Sequence, residues 1–229
     1  MAWDSVSSDT LSQLESMPGN MLHPDTFDFG LRIARVKGAD YKSIVESPSD
    51  VILISMIAAA RMLEQEGMRV ITTSCGFNAI FQKELAAAVD IPVFASSLIQ
   101  IPMVYNSLKP SQAVGVITAD KVHLTKSHFA NSGVPDSIPV RIASISRVGE
   151  FAKLRDNPTA VLDSELFINQ VAAVAVELVK QHPEVGAIVL ECTDLPPCAH
   201  AIRKATKLLV FDIVTLLKMI HSTSLARVS

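Results

Sequence analysis

Met68-Arg69-Val70-Ile71-Thr72-Thr73-Ser74-Cys75-Gly76-Phe77 is the stretch from which the fold can be read. The β-branched run at 70–73 favours an extended strand. Gly76 permits a sharp turn, and 77–88 has helical periodicity and composition. Cys75 is therefore expected where a strand ends and a helix begins. Unpaired N–H groups and the helix dipole favour thiolate over thiol there, and would hold a substrate carboxylate beside it. The plainer alternative is a small buried Cys at a strand terminus, because Cys is among the most buried residue types.

Outward from this stretch, strands and helices alternate. Toward the N-terminus, Ser49-Asp50 opens a helix over 51–65 that Gly67 ends, and 29–37 reads as a half-exposed strand. Residues 1–20 offer a weak helix over 7–16 and a turn at Met17-Pro18-Gly19-Asn20, but no apolar strand. Toward the C-terminus come strands at 90–94, 112–118, 137–142, 185–190 and 208–211. Helices are expected at 98–108, 119–132, 163–181, 195–206 and 212–221, with a loop and short helix over 144–157. Such alternation predicts parallel sheets covered on both faces, with ligands bound beyond the carboxyl ends of the strands.

Ala187-Ile188-Val189-Leu190-Glu191-Cys192-Thr193-Asp194 repeats the logic of the first stretch: apolar strand, Cys, then a helix-starting turn. Two lobes with one thiol at each strand end could face Cys75 and Cys192 across a shared cleft. Facing thiols suit inversion of a carbon next to a carboxylate: one removes a proton and the other returns one from the opposite face. The developing enolate needs preorganised donors. The N–H groups of Gly76, Phe77, Thr193 and Asp194 and the hydroxyls of Thr118 and Thr193 could supply them, with Ser74 and Ala119 completing the expected substrate-binding set.

Composition narrows the class. Of 229 residues, 49% are apolar and 19% charged, an aliphatic globular profile rather than a disordered one. A net charge of −3 with no basic run gives no reason to expect nucleic acid or an acidic membrane surface. Three Cys argue against a disulfide scaffold and for a reducing compartment. The N-terminus lacks a secretory pattern and no apolar run is long enough to span a bilayer, so a cytoplasmic protein is expected. A metal site at Cys192, Cys198 and His200 lacks paired C-x₂-C spacing, so none is expected. Cys198 is expected to pack inward, and His123, His128 and His200 to lie at the surface.

Four stretches resemble the aspartate/glutamate racemase superfamily, which includes hydantoin racemases, arylmalonate decarboxylases and maleate isomerases. They are Thr73-Ser74-Cys75-Gly76-Phe77, Val114-Gly115-Val116-Ile117-Thr118-Ala119, Leu190-Glu191-Cys192-Thr193-Asp194-Leu195-Pro196 and Val210-Phe211-Asp212-Ile213-Val214-Thr215-Leu216. The resemblance implies an α/β fold of two similar lobes, each a short parallel sheet flanked by helices, with the active site in the cleft between them. It implies a first lobe of residues 21–106 plus 196–229, an inserted second lobe of 107–195, and an unmatched segment 1–20 that lacks the family's first strand.

It further implies a cofactor-independent racemase or epimerase acting on a small carboxylate-bearing substrate through Cys75 and Cys192. Related proteins often dimerise, so the resemblance allows a homodimer, although the sequence does not fix the oligomeric state. Gly76-Phe77 replaces the Asn-Thr of amino-acid racemases, and Asp194 stands where glutamate racemases carry His. Both point away from glutamate. The alternatives are a single-thiol decarboxylase or cis–trans isomerase of a dicarboxylate, or a carboxylate-binding protein impaired in catalysis.

Overall fold

Among the described residues every strand pairing is parallel, as the alternation of strands and helices predicts. The computed structural model describes residues 1–4, 9–157 and 159–224. The first half contains β1 (Ala2–Trp3), α1 (Asp9–Glu15), β2 (Arg35–Val36), α2 (Asp50–Gln65), β3 (Ile71–Thr72), α3 (Gln82–Ala87), β4 (Val93–Phe94) and α4 (Ile101–Asn106). The second half follows with β5 (Ala113–Thr118), α5 (Lys126–Asn131), β6 (Val140–Ser144), α6 (Gly149–Asp156), α7 (Ser164–Gln181) and β7 (Val185–Leu190). The chain closes with α8 (Ala199–Thr206), β8 (Leu209–Phe211) and α9 (Ile213–Ser224). None of the described helices is long and apolar enough to cross a membrane.

The four-stranded sheet of the second half has the order β6-β5-β7-β8. All six residues of β5 are buried, as expected of a central parallel strand covered on both faces. Alternation along it divides the core: Val114 and Val116 pack toward the first half, while Ile117 packs with Phe167, Val171 and Ile188 under α7. Residues 196–211, expected with the first lobe, lie here instead. β8 pairs with β7 in register Ile188↔Val210, and Ile202 of α8 packs in the same cluster as Leu178 of α7. The chain rejoins the first half only with α9, whose Ile213, Leu216 and Leu217 pack against Met21, Phe94 and Ile99.

The two-stranded pairs of the first half, β1-β2 and β3-β4, correct the reading of residues 1–20. β1 pairs with β2 through Ala2↔Arg35 and Trp3↔Val36, and β3 pairs with β4. The Met1 nitrogen donates to the Thr72 carbonyl at 2.6 Å, and the Ser74 N–H donates to the Met1 carbonyl at 2.9 Å. A strand stub therefore stands between β2 and β3, where no strand was expected. It is too short to show alternation, and its neighbours rather than its own propensity hold it extended.

Other elements are also shorter than predicted. Of the strand expected over 29–37, only Arg35–Val36 is paired. The helix expected from 119 begins at Lys126. The Asp120 N–H donates to the Thr118 hydroxyl at 3.3 Å, and the Asp120 carboxylate accepts from Val122 N–H at 2.8 Å. These local bonds satisfy the backbone in a turn and delay helix formation.

Candidate active site

Cys75 follows β3 by three residues and takes an extended conformation (φ −149°, ψ 121°) ahead of a 3₁₀ turn over Gly76–Phe81. Cys192 follows β7 by two residues. Both reach one cavity of about 470 Å³, whose lining also includes Ser74, Gly76, Phe77, Ala119, Thr193 and Asp194. Eight of the nine expected site residues thus meet at one place. The ninth does not: Thr118 is wholly buried and donates its hydroxyl to Glu191 Oε2 at 2.7 Å. It supports a carboxylate instead of touching the cavity.

The two motif loops are joined directly. Thr193 Oγ1 donates to the Ser74 carbonyl at 2.6 Å. The expected role of that hydroxyl as a donor to substrate is therefore corrected, because its proton is already committed to Ser74. Gly76 is required by close approach, since a Cβ there would run into the carbonyl and the carboxyl of Glu191.

The Phe77 N–H bears on the Cys75 sulfur, and the Asp194 N–H on the Cys192 sulfur, each favouring thiolate. Burial opposes them and pushes both thiols well above the ordinary range, with the charges of Glu191 and Asp194 acting in the same direction. Cys75 also raises Cys192, so the sulfurs lie within electrostatic reach of each other. Cys192 Sγ sits 4.0 Å from Asp194 Oδ2, a contact through which the thiol can pass its proton to a carboxylate. Burial lifts Asp194 to about 6, opposed by the Asn20 amide, which donates to Oδ1 at 3.0 Å.

Several site residues escaped the sequence reading. Glu191 is fully buried at the end of β7 and lines the cavity, with its acid range raised by burial to about 7. A carboxylate closing an otherwise apolar strand, next to Cys192, was the available signal. Asn20 gives no such signal, because it meets Asp194 from 174 residues away. Trp3 is the only tryptophan of the chain, and its buried Nε1, lacking a well-formed hydrogen bond, is directed at the Cys75 thiol. Tyr41 of the first half donates to Asp120 Oδ2 of the second at 3.2 Å, on the cavity wall.

The histidine expectation holds only in part. His128 is buried, not at the surface: its Nδ1 accepts from the Thr125 N–H at 3.1 Å, and its ring meets Phe77 edge-on at 5.6 Å. Burial lowers it to about 4, so it is neutral packing beneath the Cys75 loop. His123 is half-buried against Asp120, at 3.0 Å. His200 is exposed, as expected, and Cys198 is packed inward with no exposed surface.

No protein-family model matches the chain. A dimethylsulfoniopropionate lyase of Durusdinium sp. clade D is 28% identical over 86% of this chain and 67% of its own length. Dimethylsulfoniopropionate lyases 3 and 7 of Emiliania huxleyi are 30% and 29% identical over 86% of this chain, which spans 53% and 60% of their lengths. Unliganded arylmalonate decarboxylase superposes with a TM-score of 0.56 at 15% identity, over 92% of this chain and 87% of that one. Aspartate racemase of Picrophilus torridus gives 0.56 at 16% identity, over 94% and 87%. An aspartate racemase homologue of Pyrococcus horikoshii gives 0.56 at 13%, over 97% of both chains.

Proposed function

The chain carries the fold of the aspartate/glutamate racemase superfamily, and on that fold we propose a carbon-acid enzyme that removes a proton next to a carboxylate and expels a β-sulfonium group. The observation that carries this reading is the Cys192–Asp194 contact of 4.0 Å in a cavity shared with Cys75. Asp194 accepts the thiol proton, and the Cys192 thiolate takes a proton from the substrate Cα. The Cα–H bond breaks and an S–H bond forms. The electron pair makes the Cα–Cβ double bond, and the Cβ–S⁺ bond breaks to release a neutral dialkyl sulfide and an unsaturated acid.

A sulfonium carboxylate suits the lining. Trp3, Tyr41 and Phe151 offer ring faces for a soft cation, with Asp120 beside Tyr41. Arg35 and Lys42 stand on the same wall for the carboxylate. The names of the curated relatives support this substrate class, dimethylsulfoniopropionate being the probe of choice.

A second reading, racemisation, rests on Cys75. Burial and the carboxyls of Glu191 and Asp194 raise Cys75 as they raise Cys192. Among the described residues it is Cys192 that has a carboxylate in contact to take its proton, which leaves Cys75 as the acid returning a proton from the other face. Elimination does not need it, because the departing sulfide leaves neutral. The test measures dimethyl sulfide release and Cα deuterium exchange for the wild type, Cys75→Ser and Cys192→Ala. Elimination retained in Cys75→Ser and lost in Cys192→Ala supports the lyase. Cα exchange on chiral acids lost in both variants, with no sulfide released, supports the racemase. Binding without exchange or release leaves a carboxylate-binding protein.

A further inference from the structure

Glu191 has no part in the proton transfers just described, yet it sits among all the groups that make them. Its surroundings are fully specified. From the end of β5, Thr118 Oγ1 donates to Oε2 and the Ala119 N–H bears on the carboxyl. Gly76, from the first half, lies flat beneath it, leaving the space its carbonyl and carboxyl fill. Along its own loop lie Cys192 and Asp194, and the charge acting on it is that of Asp194. Its own charge acts in turn on Cys75 and Cys192. Oε1 is buried and has no hydrogen-bond partner among the described residues.

A structural acceptor for Thr118 and Ala119 could be an amide. A carboxyl adds one capacity, that of holding or losing a proton, and it does so against the high cost of burying a charge with no cation acting on it among the described residues. We propose that Glu191 is a positioning residue for the thiol pair: as the neutral acid it lets a cavity thiol ionise, and as the carboxylate it keeps both thiols protonated. The physical reason is like-charge repulsion in a low-dielectric site, where a second negative charge a few ångströms away is disfavoured. With its acid range near 7, both forms are populated around neutrality. The inference rests on the thiol-based reading of the site, whichever reaction the thiols serve.

The test is the rate of iodoacetamide alkylation at Cys75 and Cys192, followed by peptide mass between about pH 6 and 10 on the full chain. Wild type is compared with Glu191→Gln, which keeps the shape and the acceptor, and with Thr118→Val. The alkylation rate of one or both thiols at a fixed pH above 7 should rise about tenfold in Glu191→Gln, the rate equivalent of one pH unit and near the low end of a close like-charge effect. Thr118→Val should raise it less but in the same direction, because loss of the Thr118 donor favours the neutral acid. Unchanged or lowered rates in folded variants overturn the proposal, as does loss of activity with an unmoved alkylation rate, which makes Glu191 merely structural. If Glu191→Gln fails to fold, Thr118→Val decides. No substrate is present, so failure of the proposed elimination leaves this outcome readable.

Discussion

The hydroxyl of Thr193 donates to the carbonyl of Ser74 at 2.6 Å, joining the loops that carry the two thiols across 119 residues of chain. Thr193 is buried and Ser74 half-buried, and the bond fixes the spacing of the two halves at the cavity. Thr193→Val removes the donor while keeping the shape and leaves the Ser74 carbonyl without this partner. It should cost about 1–2 kcal/mol of stability. It should also lower turnover more than that loss explains, because the thiols are then free to drift apart. Thermal melts alongside turnover measured well below the melting point separate the two effects.

Gly76→Ala should be the most damaging small substitution in the site. The added methyl meets the backbone carbonyl and the carboxyl of Glu191, and the backbone cannot rotate away. Overpacking of this kind costs roughly 1–3 kcal/mol and displaces the Cys75 loop. The expected result is a lower urea midpoint together with altered Cys75 alkylation. A fully stable, normally reactive variant would show that the two loops are not in close contact in solution.

Glu191 also ties stability to pH. Its folded acid range, about 7, lies above the ordinary 4.5. The folded state therefore holds the proton where the unfolded state has lost it. Stability from this group is full below the ordinary carboxylate range and falls as pH rises to about 7, by on the order of 3 kcal/mol. Asp194, raised from 3.8 to about 6, adds to the same trend. Urea midpoints at pH 5 and pH 8 test the sign. Glu191→Gln should gain relative to wild type at the higher pH, whereas a pH-independent difference would refute the shift.

On the proposed reading, Tyr41 on the cavity wall should discriminate substrates by charge. Tyr41→Leu removes a ring face and should raise KM for a sulfonium carboxylate roughly tenfold with kcat little changed. Tyr41→Phe keeps the ring but loses the bond to Asp120, so its effect should stay within about fivefold. Equal effects of both variants would assign the role to the hydroxyl bridge rather than the ring.

The order of strands and helices and the placement of Cys75 and Cys192 at strand ends were legible in the amino-acid order. Strand propensity, helical periodicity and turn residues act over a few neighbouring positions, as in Val70-Ile71-Thr72 or in the helix expected over 163–181, which forms as Ser164–Gln181. The strand at Ala2–Trp3 was not legible, since it exists only because β2 and β3 flank it. Nor was the pairing of β8 with β7, because a short apolar run carries no address for its partner.

The sequence by itself determined a parallel α/β chain with two thiols poised at the carboxyl ends of their strands. Tertiary structure alone decided what those thiols face: Glu191 held by Thr118, Asp194 held by Asn20, and Thr193 committed to Ser74. The reason is physical. Local conformation depends on residues nearby in the chain, whereas desolvation and hydrogen-bond partners depend on groups that meet only after the chain has closed on itself.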